Sequence, residues 1–168
     1  MTKSEQQASR QVGAMTITQK SELEIEITRV FNAPRRLVFE AHSKPEHLRR
    51  RWGPRSTTMT SCETDFRSGG SWRFVLRTSN GQEVAFRGDY HEVVPPERLV
   101  QTFEFEGAPP GAVSVETLTF TEQDGMTTLT SISRFDSVEA RDGMYSPEME
   151  KGAAETYDRL EELLQSMA

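Results

Sequence analysis

The sequence predicts an α+β fold in which a curved antiparallel sheet of about seven strands wraps around a long C-terminal helix. Three observations support this prediction. Alternating apolar and polar residues begin at Ser21 and recur in short runs up to Phe135, which is typical of half-buried strands. Two brief helical patterns separate the first of these runs from the second. Residues 147–167 then carry apolar side chains at spacings of three and four, which is typical of an amphipathic helix.

The chain has 168 residues, a length that suits one domain with its own core or cavity. Residues 1–20 are mostly polar and are expected to form a disordered tail before a single domain at residues 21–168. No apolar run approaches the roughly 18 residues of a membrane helix, and residues 1–15 lack the apolar region of a secretory signal. Cys62 is the only cysteine, so no internal disulfide can form. These features predict a cytoplasmic protein.

The first predicted strand contains alternating apolar residues at positions 23–27. Pro34 fits the first turn of a short helix, because the N–H that proline lacks has no partner there. Ser43 can cap a second short helix, which the Gly-Pro pair at 53–54 ends. We expect these two helices to close the mouth of the curved sheet.

Six further strands are predicted, with short turns between them. The pair Asn80-Gly81 is a strong signal for a two-residue hairpin turn, and Asp124-Gly125 is another. Because such turns join neighbouring strands, the whole sheet is expected to be antiparallel. The predicted strands cover residues 57–66, 71–77, 83–94, 99–105, 113–121 and 126–135.

The last predicted element is the long helix, with Ser146 as its cap and Pro147 in its first turn. Its apolar stripe has to be buried against the apolar face of the sheet. The order is therefore strand, two short helices, six strands and a long helix, which is the helix-grip arrangement. The stripe consists of Met149, Ala153, Thr156, Leu160, Leu163 and Met167.

Four segments of the chain resemble one bacterial family. They are Arg29–Pro34, Pro45–Pro54, Asp65–Trp72 and Gly88–Leu99. These segments are similar to bacterial proteins related to the C-terminal domain of the activator of the 90-kDa heat-shock protein ATPase. That family lies in the START-like, polyketide-cyclase-like and pathogenesis-related helix-grip superfamily. The resemblance covers residues 21–168, and it implies the helix-grip fold and a link to the stress response.

The chain departs from that family at one position. Where the family usually has Trp-Trp-Gly-Pro, this chain has Arg51-Trp52-Gly-Pro. Residues 35–55 carry seven Lys or Arg and two Glu, in a chain whose net charge is −6. A basic patch attracts an acidic protein face or an anionic ligand, so Arg49, Arg50 and Arg51 are predicted to bind a partner. The alternative interpretation is a solvated helix face.

The sequence contains no recognisable catalytic or metal-binding motif. His42, His47 and His91 have no cysteine pair or acidic cluster beside them, so no metal or other cofactor is expected. Nucleic acid is not expected as a partner, because the chain is acidic overall and its basic run lacks interleaved aromatic residues. Glu63 and Asp65 alternate on a strand and could act as an acid–base pair, but surface carboxylates are the better interpretation. No catalytic residue is predicted.

A hydrophobic ligand site is predicted between the sheet and the long helix. Large aromatic residues on the strands face small residues near the start of the helix, which leaves room for a cavity. A filled core is the alternative. The predicted ligand-binding residues are Trp52, Phe74, Phe86, Tyr90, Phe103, Phe105, Met149, Gly152, Ala153 and Leu160.

Three classes of function remain open from the sequence. The first is non-catalytic binding of a hydrophobic or amphipathic small molecule. The second, implied by the resemblance, is a co-chaperone-like protein that binds an acidic face of a heat-shock chaperone and stimulates its ATPase. The third is a cyclase or dehydratase type of enzyme that uses the same pocket. Because the pattern offers no inward acid–base pair, non-catalytic binding is favoured over an enzyme. The protein could be a monomer or a homodimer.

Overall fold

The computed structural model describes residues 9–108 and 112–167. In this part of the chain, nine strands form one antiparallel sheet. The strands are β1 (Ser9–Val12), β2 (Met15–Ser21), β3 (Glu24–Phe31), β4 (Thr58–Thr64), β5 (Ser71–Arg77), β6 (Glu83–Val94), β7 (Arg98–Phe105), β8 (Val113–Gln123) and β9 (Met126–Arg134). Their order across the sheet is β1-β2-β3-β9-β8-β7-β6-β5-β4. The last strand therefore pairs with β3, while the other neighbours are adjacent in sequence.

Four helices accompany the sheet in the described residues. They are α1 (Arg35–Glu40), α2 (Pro45–Arg51), α3 (Val138–Met144) and α4 (Pro147–Met167). This order of elements confirms the helix-grip fold that the sequence predicts. Helix α3 is an addition to the predicted fold, and the Ser137 hydroxyl caps it by accepting from the Ala140 N–H at 3.0 Å. Within the same residues, no helix has both the length and the apolar character needed to cross a membrane.

The N-terminal segment is the main difference from the predicted fold. The sequence predicts a disordered tail at residues 1–20, but β1 and β2 lie at residues 9–21 and pair as an antiparallel hairpin. Met15 and Ile17 account for this, because both are buried against the apolar face of β3 in a second, smaller cluster. The sheet therefore has nine strands rather than about seven. Residues 1–8 of the predicted tail lie outside the described residues.

An ion pair between an exposed arginine and a buried glutamate attaches this hairpin to α4. Arg10 on β1 donates to both carboxylate oxygens of Glu150, with 2.7 Å between Nη1 and Oε1. Glu150 is only 6% exposed. Because an unpaired buried carboxylate would be costly, Arg10 supports the first turns of α4 as well as holding β1 in place.

The main core lies between the sheet and the C-terminal half of α4. Leu160, Leu163 and Leu164 of α4 are buried there and fill the space completely. The N-terminal half of α4 instead carries Gly152 and Ala153, so it leaves the layer between helix and sheet open. The sheet and the short helices contribute Phe31, Val38, Phe39, Leu48, Trp72, Phe74, Leu76, Tyr90, Leu99, Leu118, Phe120 and Leu129 to this core.

Candidate ligand-binding cavity

A cavity of about 280 Å³ lies between the sheet and the N-terminal half of α4. It forms because large side chains on the strands face small ones on the helix, as the sequence predicts. Gly152 also lets α4 approach the segment after α2 closely, since a Cβ at this position would lie 3.3 Å from Cγ of Pro54, another lining residue. The apolar lining consists of Ile27, Leu48, Trp52, Pro54, Phe74, Leu76, Phe86, Leu99, Phe103, Leu118, Met144, Met149 and Ala153.

Most of the predicted ligand-binding residues reach this cavity. Phe105 and Leu160 do not line it. Leu160 lies further along α4 and is completely buried in the packed core, and Phe105 packs against Phe86 with 5.2 Å between their ring centroids. The predicted residues that line the cavity are Trp52, Phe74, Phe86, Tyr90, Phe103, Met149, Gly152 and Ala153. That they bind a ligand stays a prediction.

Trp52, which follows α2, lies at the centre of an aromatic wall. Its ring centroid is 5.1 Å from those of Phe74 and Phe86. Trp72 and Phe103 complete the group at 6.2 and 6.4 Å from Trp52. Edge-to-face and tilted pairs at these distances are favourable and orient the rings. The wall therefore offers a stiff, apolar surface to the cavity.

Arg159 on α4 fixes the position of this wall. Its Nη1 donates to the carbonyl oxygen of Gly53 at 2.9 Å, and its Nη2 donates to that of Arg50 at 2.7 Å. These carbonyl groups belong to the end of α2 and the turn after it, where helical partners are lacking. One guanidinium therefore holds the end of α2 and the chain around Trp52 against α4.

Arg51 lies in the cavity wall and not on the surface. The sequence groups it with Arg49 and Arg50 as one partner-binding set, but Arg51 is 4% exposed whereas the other two are exposed. The reason is helical spacing, because Arg51 follows the buried Leu48 by three residues and shares its face of α2. Its Nε donates to the carbonyl oxygen of Ala41 at 3.1 Å. An exposed partner surface can therefore include Arg49 and Arg50 only.

Arg51 and His42 carry different charges in spite of their proximity. Burial lowers the pKa of Arg51 to about 10, so the guanidinium stays protonated at neutral pH. Burial, together with the positive charge of Arg51, holds the pKa of His42 well below its usual value. Nδ1 of His42 donates to the carbonyl oxygen of Val38 at 2.8 Å, which leaves its Nε2 as an acceptor. His42 is therefore a neutral member of the cavity wall.

A second polar group combines Gln101 on β7, Glu116 on β8 and Ser133 on β9 with two tyrosines. Gln101 Nε2 donates to Oε1 of Glu116 at 2.9 Å, and burial raises the pKa of this carboxyl. The hydroxyl oxygens of Tyr145 and Ser133 are 3.4 Å apart, and burial followed by the Glu116 charge raises the pKa of Tyr145. Burial also raises the pKa of Tyr157, to about 12. The cavity thus has a hydrogen-bonding side next to its aromatic wall, since Ser114 on β8 is the register partner of Phe103 on β7.

The predicted ligand-binding residues do not include this polar side, although the sequence carries a signal for it. Ser114 and Glu116 alternate with the buried Leu118 on β8, so all three point to the inner face. Ser131 and Ser133 do the same after Leu129 on β9. An inward carboxyl, that of Glu116, is therefore present, and it is absent from the predicted ligand-binding residues.

Two other expectations concern reactive groups. Glu63 and Asp65 are exposed, as the interpretation of surface carboxylates requires. Cys62 packs against the main core, and burial raises the pKa of its thiol. Across residues 9–108 and 112–167, no group of three or more His, Cys, Asp or Glu side chains is arranged to hold a metal ion.

Comparison with solved structures supports the fold. A crystal structure from Rhodobacter sphaeroides matches with a TM-score of 0.85 at 25% sequence identity, and the match covers 91% of this chain and 99% of that one. A Mycobacterium smegmatis protein matches with a TM-score of 0.76 at 27% identity, covering 85% and 91%. A Nitrosomonas europaea protein, at 24% identity, has a TM-score of 0.77 and covers 87% and 96%, and it supports the fold alone.

The family follows from the sequence match. Among curated protein sequences, no relative is found. The model of one family, described as Activator of Hsp90 ATPase homolog 1-like protein, matches residues 32–165. The match includes α1, α2, almost all of α4 and every cavity-lining residue except Ile27. The chain therefore belongs to the family of Activator of Hsp90 ATPase homolog 1-like proteins, whose START-type helix-grip fold it shares.

Proposed function

We propose that the protein binds a hydrophobic or amphipathic small molecule in the cavity, without chemistry on the ligand. The cavity itself is the observation that carries this proposal. Its volume of about 280 Å³ is close to the lower end of small-molecule sites, which are usually about 300–1,000 Å³. Packed cores rarely leave a void larger than a water molecule, and the other end of the same helix–sheet layer is filled by leucines.

The lining supports an amphipathic ligand. One part of the lining is the aromatic wall around Trp52, and another part is the polar group around Glu116. Small-molecule sites usually combine a mainly apolar surface with a few polar groups that orient the ligand. A molecule with an apolar body and one polar end fits both parts.

The polar residues support binding rather than catalysis. Glu116 already accepts a hydrogen bond from Gln101, and burial raises the pKa of its carboxyl because the charged form is disfavoured in the cavity. Burial also raises the pKa of Tyr90, to about 12, and that of Tyr157 by a similar amount. These phenols therefore donate hydrogen bonds at neutral pH and do not act as bases.

Filling the cavity is expected to abolish binding. Ala153→Phe places a ring in the space that the small residues of α4 leave open. We expect the affinity for the neutral fluorescent probe N-phenyl-1-naphthylamine to fall at least about tenfold, because the probe and the new ring compete for one volume. Fluorescence titration measures the affinity, and native mass spectrometry detects any molecule that the purified protein retains.

The matched control is Lys151→Phe, which adds the same ring to an exposed position on the same helix. It should leave probe binding unchanged. Equal binding by Ala153→Phe and the original protein would place the probe elsewhere. A purified protein that retains no small molecule and binds no apolar probe would overturn the proposed function.

A co-chaperone role is a second candidate, and α2 supplies the observation that favours it. Arg49 and Arg50 are exposed there, and in the described part of the chain neither has a carboxylate within 4.0 Å. Unpaired surface cations can steer an acidic protein face toward them. The family's description as activator-like agrees with such a partner.

Charge reversal on α2 tests this second candidate. If the protein stimulates a bacterial 90-kDa-class chaperone ATPase, Arg49→Glu with Arg50→Glu should reduce the stimulation at least about fivefold at low salt, where surface charges act most strongly. Arg36→Glu with Arg77→Glu is the control, because it makes the same charge change at exposed sites on α1 and β5. No stimulation by the unchanged protein would remove the candidate, and the cavity proposal would be unaffected.

A further inference from the structure

Arg51 is a buried cation without a buried anion. Its side chain lines the cavity, and its only hydrogen bond in the described residues runs from Nε to the carbonyl oxygen of Ala41. No carboxylate oxygen of residues 9–108 or 112–167 lies within 4.0 Å of the guanidinium. The two terminal nitrogens, which together carry four N–H donors, are therefore left without a protein acceptor beside the cavity.

Such an arrangement is costly unless something in the cavity compensates for it. A buried charge needs a partner, and a charge left without one destabilises a protein strongly. The guanidinium cannot avoid this by losing its proton, because its pKa stays about three units above neutral pH. The cavity is the space beside the guanidinium in which a partner can lie.

The neighbours of Arg51 do not supply a negative charge. His42 is neutral and donates to the carbonyl oxygen of Val38. Tyr90 and Tyr157 remain protonated at neutral pH, since burial raises the pKa of each to about 12. Glu116, the acid of the polar group, accepts from Gln101 and is not within ion-pair distance of Arg51. The Arg51 end is therefore positive overall.

An apolar surface begins next to this charge. Trp52 follows Arg51 directly and presents the aromatic wall, with Phe74 and Phe86 each 5.1 Å from its ring centroid. A ligand held by the guanidinium would thus lay its adjoining part against aromatic rings. The end of α2 joins a charge and an apolar surface within two consecutive residues.

We propose that the ligand is an amphipathic anion, with an apolar body against the Trp52 wall and a carboxylate that pairs with Arg51. This inference rests on the proposed binding function and names its ligand class. The planar guanidinium suits a carboxylate, because two N–H groups can donate to its two oxygens. Binding such an anion supplies the partner that the buried cation lacks.

Two competitors of matched size test the proposal. Naphthalene-2-carboxylate and 2-naphthalenemethanol share one ring system and differ in charge, and each can be titrated against bound N-phenyl-1-naphthylamine. The carboxylate should displace the probe at a concentration at least about tenfold lower than the alcohol does, since a charge-assisted hydrogen bond is stronger than a neutral one. Arg51→Met should remove this difference and leave the alcohol unchanged within about twofold.

The remaining variants separate anion binding from a structural role. Arg50→Met should behave as the original protein does, because Arg50 is exposed one residue earlier. Arg51→Lys keeps the positive charge but cannot donate two parallel hydrogen bonds from one planar group, so part of the preference for the carboxylate should remain. Arg51→Met should be at least as stable as the original protein, because it removes an unpaired buried charge.

Each result decides something. Equal displacement by both competitors in the unchanged protein overturns the anion proposal and leaves the binding function in place. If neither the probe nor either competitor binds, the anion proposal and the proposed binding function are both overturned. If Arg51→Met is unstable and loses both competitors alike, Arg51 is structural and the anion proposal falls. If that variant does not fold, the comparison in the unchanged protein still decides.

Discussion

Gly88→Ala is expected to destabilise the protein by at least about 3 kcal/mol, near or above the upper end of the usual cost of overpacking. Gly88 lies on β6 opposite Trp72 of β5. A Cβ at this position would lie 2.6 Å from Nε1 of Trp72 and still closer to the carbonyl oxygen of Thr102 on β7. A carbonyl oxygen is part of the backbone, so no rotation of a side chain relieves the contact. The strands themselves would have to separate.

The position of Gly88 explains why the effect should be large. The pairing of β6 with β7 is irregular close by, and the N–H of Asp89 donates to Oγ1 of Thr102 at 2.8 Å. The two backbones approach each other at this site because position 88 has no side chain. Separating β6 from β7 would also move Phe86 and Phe103, which belong to the aromatic wall.

Urea unfolding measures the change in free energy. Gly143→Ala is the matched control, because a Cβ at position 143 on α3 meets nothing within 4 Å and the backbone there is not in the left-handed region. Removing a helical glycine should stabilise the protein slightly, by about 0.5–1 kcal/mol. A loss below about 1 kcal/mol for Gly88→Ala would show that β6 and β7 adapt more easily than the geometry indicates.

The fold was predictable because its signals are local. Alternation along the strands, the Asn80-Gly81 turn and the apolar spacing of α4 each lie within a few residues of sequence. The hairpin of β1 and β2 was not predictable, because Met15 and Ile17 are its main inward-facing apolar residues in a mostly polar segment. Its stability comes from contacts with β3 and from the ion pair between Arg10 and Glu150, which are distant in sequence.

The existence of the cavity was predictable from the sequence, but its volume and its polar side were not. Large strand residues facing Gly152 and Ala153 indicate empty space, but the volume depends on how far α4 lies from the sheet. That distance is set by Leu160 and its neighbours further along the helix. The small residues at positions 131 and 133 were on the inner face by alternation, yet a serine alone does not tell a polar cavity wall from a packed core.

For Arg51, the charge of the local sequence and its position on the helix predict different exposures. Three consecutive arginines favour a solvated surface, which is correct for Arg49 and Arg50. The spacing of three residues from Leu48 predicts the opposite for Arg51, and the structure agrees with the spacing. Periodicity was the more informative signal, because a charge is buried or exposed according to the face of the helix that carries it.

Trp52→Ala is expected to lower the free energy of unfolding by about 2–4 kcal/mol and to weaken binding of the neutral probe at least about tenfold. The stability term is somewhat below that of a fully buried tryptophan, because Trp52 is half-buried. It is still large, since the ring contacts Trp72, Phe74 and Phe86, and each aromatic pair contributes about 0.5–1.5 kcal/mol beyond the area that it buries. Urea unfolding measures the change in the free energy of unfolding, and probe titration measures the change in affinity.

Trp52→Phe separates the two roles of this residue. It keeps an aromatic ring in the wall and should cost less than about 1.5 kcal/mol, while most of the probe affinity remains. If Trp52→Ala loses stability but binds the probe normally, Trp52 belongs to the core and the ligand lies elsewhere. If it loses the probe with nearly unchanged stability, the ring acts only as a cover. Losing both would show that one side chain closes the core and faces the ligand, as its contacts with β5 and β6 and its place in the cavity lining require.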